Sequence, residues 1–83
     1  MQVLYFAWLR EKAGVAEEAV EPPAGVRTVA DLIDWLRARS DGHAAALADL
    51  GVVRVAADQE YVGLDHPLAG VREVALFPPV TGG

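Results

Sequence analysis

Hydrophobic and polar positions along the chain change their spacing from segment to segment, and the changes mark out the elements. The run QVLYFAWL, Gln2 to Leu9, is apolar and aromatic with little alternation. That is the pattern of a strand buried on both faces, and it predicts a central strand. REKAG follows as a single helical turn ending at Gly14, and EEAVEPPAG as a short second strand stopped by Pro22 and Pro23, which together suggest a hairpin-like return.

From Thr28 the period lengthens. Val29, Leu32, Ile33 and Leu36 fall at i, i+3, i+4 and i+7, and Thr28 with Asp31 three residues on approximates a capping box, so TVADLIDWLRARS predicts a helix. Asp31 and Asp34 early and Arg37 and Arg39 late suit the helix dipole. HAAALADL predicts a second short helix ended by Gly51. VVRVAAD reads as the next strand, QEYVG as a short strand after a turn near Asp58 and Gln59, and REVALFPP as a last strand cut off by its prolines.

This order predicts an α+β fold: a mixed sheet with one main helix packed on one face. A two-stranded opening, a helix and a further set of strands is the ubiquitin-like β-grasp arrangement, in which the first and last strands lie parallel in the centre. VLYFAWL and VALF are apolar enough for that place. The expected division is a β-grasp domain over 1–77 and a flexible C-terminal tail over 78–83 ending in Gly-Gly, with no internal repeat and no interdomain linker.

Composition narrows the function. The chain has 83 residues, enough for one small core and little interior for a deep catalytic cleft. Its formal charge is −5 and it has a single lysine, Lys12, so no basic patch is available to follow phosphates and nucleic acid is excluded as a partner. An acidic domain suits both solubility and steering toward a basic protein surface. Cysteine is absent, which removes disulfides, thiolate nucleophiles and cysteine-ligated metals together. The apolar run Val3 to Leu9 is too short to span a membrane and lacks the flanks of a signal peptide, so no membrane association and a cytoplasmic location are expected.

The inventory for chemistry within the chain is poor. The only serine, Ser40, lies near Asp41 and His43, but sequence neighbours at a helix end do not make a triad geometry. His43 and His66 have no metal-ligand spacing, and the surroundings of His66, Asp65, Pro67 and Gly70, read as a turn, so no metal site is expected. Glu17 and Glu18 would point to opposite faces of a strand, which favours a solvated edge over a carboxylate dyad. No glycine-rich phosphate loop opens a helix, so the chain binds no cofactor itself and any nucleotide belongs to a partner. Of the aromatics Tyr5, Phe6, Trp8, Trp35, Tyr61 and Phe77, a domain this small cannot bury all equally, and some are expected to face another protein.

What remains is the ending, FPPVTGG. Pro78 and Pro79 stiffen its base, and a six-residue extended tail reaches at most ~20 Å. Gly82 and Gly83 have no Cβ, so the tip can pass through a narrow channel and leave its terminal carboxylate unhindered for reaction in another protein's active site.

VLYFAWLREKAG near the start, DHPL at Asp65 to Leu68, and above all VALFPPVTGG at Val74 to Gly83 resemble the small subunits of molybdopterin synthases. The resemblance implies a ubiquitin-like sulfur carrier. The Gly83 carboxylate would be adenylated by an E1-like enzyme using ATP and converted to a thiocarboxylate by a sulfur-donor protein. The tail would then enter the synthase large subunit, where sulfur passes to a cyclic pyranopterin precursor in molybdenum cofactor biosynthesis. It further implies that this subunit is the non-catalytic, sulfur-donating half of a heterotetramer, with Gly83 bearing the sulfur and Gly82 keeping the approach narrow. Pro78, Pro79, Val80 and Thr81 match the family's tail, and Phe6 and Phe77 its hydrophobic docking surface. Tyr61 stands where an aliphatic residue is more usual.

Three other readings fit parts of the sequence. A carrier of the same fold could serve thiazole synthesis or tRNA thiolation. A ubiquitin-like modifier would form isopeptide bonds through Gly83, with Lys12 limiting self-linked chains to one linkage. A plain interaction module would use its aromatic face alone and survive loss of the last two residues.

Overall fold

The computed structural model describes residues 1–79. Strands β1 (Gln2–Tyr5), β2 (Glu17–Ala19), β3 (Arg54–Ala57), β4 (Glu60–Val62) and β5 (Glu73–Phe77) form one sheet in the order β2-β1-β5-β3-β4. β1 and β5 run parallel in its interior, from Gln2 opposite Glu73 to Tyr5 opposite Leu76, and the other neighbours are antiparallel. Helices α1 (Ala7–Ala13), α2 (Val29–Arg37) and α3 (Asp41–Ala46) are the helical complement. This is the β-grasp arrangement expected from the order of the elements.

The sheet alternates. Val3, Tyr5, Val55, Val74 and Leu76 are buried with Leu9, Leu32, Ile33, Leu36 and Leu47 of the helical layer and its connections, and these make the core. The residues between them on the strands face the other way, onto a surface that no element among the described residues covers.

The N-terminal run divides differently from its sequence pattern. The strand ends at Tyr5, Phe6 is the extended N-cap, and the helix already begins at Ala7, so Trp8 and Leu9 lie on α1 rather than on the strand. Ala7 has a φ of 54°, the left-handed bend that turns the chain off the sheet. Leu9 and Ala13, one helical turn apart, are the buried stripe of α1. A run apolar at nearly every position has no period of its own, and its strand ends where pairing with β5 ends. Gly14 closes α1 as expected, with φ 84° and its N–H on the Arg10 carbonyl.

α2 follows its pattern closely. Thr28 Oγ1 accepts from the Asp31 N–H, and Asp31 accepts in return from the Thr28 and Arg27 N–H groups. These backbone hydrogen bonds, that from Arg27 foremost, hold the Asp31 carboxyl below its usual range. The second helix departs from its pattern: α3 starts at Asp41 behind Ser40 as N-cap and is over by Leu47. Gly51 is not its cap but lies in a short 3-10 turn, Leu50–Val52, where the Asp49 carboxylate accepts the Gly51 N–H. Gly42 sits so close to the Lys12 carbonyl that a Cβ there would collide with it, which lets α3 approach the end of α1. The β3–β4 turn passes through Asp58 and Gln59, both left-handed, and Asp58 Oδ1 accepts from the Arg72 and Glu73 N–H groups at 3.0 Å each. Among the described residues no helix is long and apolar enough to cross a membrane.

Candidate docking face and tail

The uncovered sheet face is built by strand alternation. With Val3, Tyr5, Val74, Leu76 and Val55 turned to the core, Leu4, Ala75, Phe77, Arg54 and Ala56 point outward, and the register places Ala75 opposite Ala56, Ala56 opposite Tyr61, and Phe77 opposite Arg54. The two alanines keep the middle of this face low. Tyr61 and Phe77 stand beside it with ring centroids 5.5 Å apart, and the backbone of Phe6, whose N–H donates to the Leu76 carbonyl, lies next to the end of β5.

Tyr61 is 79% exposed and Phe6 45%, a cost in water that a fold alone does not explain. Tyr61, Phe77, Val55, Val62 and Arg54 line a shallow groove of about 290 Å³. β5 leads from this groove directly into Pro78 and Pro79. The structure therefore brings Tyr61 and Phe77 together where β5 leads into Pro78 and Pro79, with Phe6 exposed at the neighbouring end of β1. Val80, Thr81, Gly82 and Gly83, and the expected tail flexibility, lie outside the described residues.

A polar cluster lies on the core side of the sheet. Glu18 points inward from β2, where its Oε2 accepts from Tyr5 Oη at 2.8 Å and lies 2.7 Å from His43 Nε2, and its Oε1 meets Arg39 Nη2 at 3.2 Å. Ser40 Oγ lies 2.6 Å from His43 Nδ1. An ionised carboxylate only accepts, so His43 presents its Nε2–H to Glu18. Burial works to raise the Glu18 carboxyl, but hydrogen bonds from His43 and Tyr5 and the charges of His43 and Arg39 outweigh it and hold the group below its usual range. Burial, then the Glu18 contact, pushes the Tyr5 hydroxyl well up.

One sequence expectation changes here. Glu18 is not part of a solvated edge, although Glu17 is exposed; it reaches inward to His43. The order serine, histidine, carboxylate is that of a nucleophilic relay, but Ser40 Oγ is occupied in accepting the His43 N–H at 3.1 Å, and neither groove described in the structure borders it. The cluster is a tie that fastens β2 to β1, to α3 and to the segment after α2. No group of three or more potential metal-ligating side chains occurs among the described residues.

Fold and face together define a β-grasp protein with an aromatic surface at the root of a diglycine tail. Residues 3–83 match the model of the ThiS family, and the chain belongs to that family. It is 46% identical over its whole length to the molybdopterin synthase sulfur carrier subunit of Escherichia coli, covering 99% of that protein. Among solved structures it is similar to a Pyrococcus furiosus protein described as molybdopterin converting factor, subunit 1, with a TM-score of 0.73, 34% identity and 95% of each chain covered. It is also similar to SAMP1 of Haloferax volcanii, with a TM-score of 0.72, 33% identity and coverage of 100% of this chain and 98% of that one.

Proposed function

We propose that this protein is the sulfur carrier subunit of a molybdopterin synthase. The observation that carries the reading is the continuity of the Tyr61–Phe77 face with the strand that feeds FPPVTGG, with Phe6 exposed beside it, in a fold whose full-length curated relatives bear that name. The carboxylate of Gly83 is the reacting group. An E1-like partner holding ATP transfers the adenylyl group to it with loss of pyrophosphate, and hydrosulfide released by a sulfur donor then attacks the Gly83 carbonyl carbon and displaces AMP, leaving a thiocarboxylate. The chain supplies no catalytic side chain to either step. Its residues dock and present: Phe6, Tyr61 and Phe77 bind the partner, Pro78 and Pro79 hold the exit direction, and Val80, Thr81 and Gly82 thread the terminus inward. The catalytic groups belong to the large subunit, which makes this chain the sulfur-donating half of a heteromeric sulfurtransferase.

The test is reconstitution. Thiocarboxylated protein mixed with the large subunit and the cyclic pyranopterin precursor is expected to yield the dithiolene product and to return Gly83 as a carboxylate. A thiocarboxylate that persists in the presence of both would refute the reading.

The likeness to SAMP1 and to a Haloferax volcanii structure titled small archaeal modifier protein 1 favours one alternative, a protein modifier joined through Gly83 to lysines of other proteins. A ladder of conjugates in cell extract, absent for a chain lacking Gly83, would support it. Thiazole synthesis and tRNA thiolation are alternative destinations for the same sulfur, separated by which acceptor discharges the thiocarboxylate.

A further inference from the structure

Arg54 is the one charged side chain lining the groove beside Tyr61 and Phe77. It lies opposite Phe77 in the β3–β5 ladder, at the end of the face from which the tail departs. Its Nη1 donates to the carbonyls of Gly51 and Val53, both at 3.2 Å, which uses both Nη1 hydrogens and fixes the plane of the head group. Among the described residues no acidic side chain pairs with it, and Nε and Nη2 have no acceptor. That free edge carries parallel N–H groups spaced to grip a carboxylate through both oxygens.

Docking through this groove removes Arg54 from water, and an unpaired guanidinium would oppose association. We infer that Arg54 selects the partner: the large subunit that covers this groove places an aspartate or glutamate against the Nε–Nη2 edge, inside an otherwise apolar contact. The inference rests on the docking role proposed above and adds to it the chemistry of the partner's surface. Glu73 stands on the same strand face at the end away from the tail, so an incoming acid is favoured only in the orientation that points it toward the tail. Arg54 is a binding and positioning residue, since it touches no reacting atom.

The experiment is calorimetric titration of the cognate large subunit with wild-type protein, Arg54→Leu and Arg54→Glu at low and high salt. Thermal denaturation of each variant serves as the folding control. Arg54→Leu is expected to weaken binding by about 30-fold or more, the scale for removing one member of a buried hydrogen-bonded charge pair. Arg54→Glu is expected to weaken it further. Among single Asp→Lys and Glu→Lys variants of the large subunit, one is expected to restore about 10-fold or more of the affinity for Arg54→Glu while weakening wild type. Arg54→Leu that folds normally and binds as tightly as wild type would overturn the inference and leave the docking reading intact. Failure of wild-type protein to bind the large subunit at all would overturn both.

Discussion

Replacing Tyr61 by alanine separates docking from folding, because the side chain is 79% exposed and sits on the short strand β4 at the sheet edge. Its described packing is the tilted contact with Phe77, at 5.5 Å and 36° between ring planes, and such a pair contributes about 0.5–1.5 kcal/mol. The loss of folding stability is therefore about 1 kcal/mol, a fall in Tm of about 4–8 °C for a domain of this size. At an interface the same ring takes about 100 Å² of apolar surface out of water. At ~25 cal/mol per Å² that is about 2.5 kcal/mol, or roughly 70-fold in affinity. Titration with the large subunit and thermal denaturation measure the two quantities side by side. Phe77→Ala is expected to shift both, since Phe77 is half-buried in the central strand, but to cost binding more than folding. Unchanged affinity in Tyr61→Ala would refute the docking face. A loss of folding stability equal to the loss of binding in Phe77→Ala would return that residue to the core.

Glu18→Ala strands the buried Tyr5 hydroxyl and the His43 Nε2–H, and a loss of about 2–4 kcal/mol is expected by chemical denaturation. Because the folded-state pKa of Glu18 is depressed, its contribution is complete above the unfolded value of ~4.3 and disappears as pH falls through the folded value. The stability gap between wild type and Glu18→Gln should therefore close below that pH, and a gap independent of pH would contradict the assignment. Thr28→Ala removes the reciprocal cap of α2 and should cost about 1 kcal/mol in the same assay, against no loss if the cap were idle.

Much of this architecture is legible in the residues themselves. The period of Val29, Leu32, Ile33 and Leu36 behind Thr28 and Asp31 carries α2, and the apolar VALF carries β5, because in both a local rule agrees with the tertiary environment. The boundary between β1 and α1 is not legible, since Phe6, Ala7, Trp8 and Leu9 suit either element and the length of pairing with β5 decides. Arg54 was within reach: alternation in RVAA places it on the same face as Ala56, where its charge among apolar residues marks it out. The tie between Glu18 and His43 was not, because it joins positions 25 residues apart and depends on how α3 lies against the sheet. FPPVTGG is plain in the letters, and the proposed entry of its terminal carboxylate into a partner's site follows from the missing Cβ at its last two positions.

The intact mass of the protein after incubation with an E1-like adenylating enzyme, ATP and a sulfur donor, beside a version lacking Gly83, tests the carrier assignment most directly. A gain equal to replacement of one carboxylate oxygen by sulfur, absent from the truncated chain, is the expected result. An unchanged mass, with an enzyme shown to be active on another carrier, would contradict it.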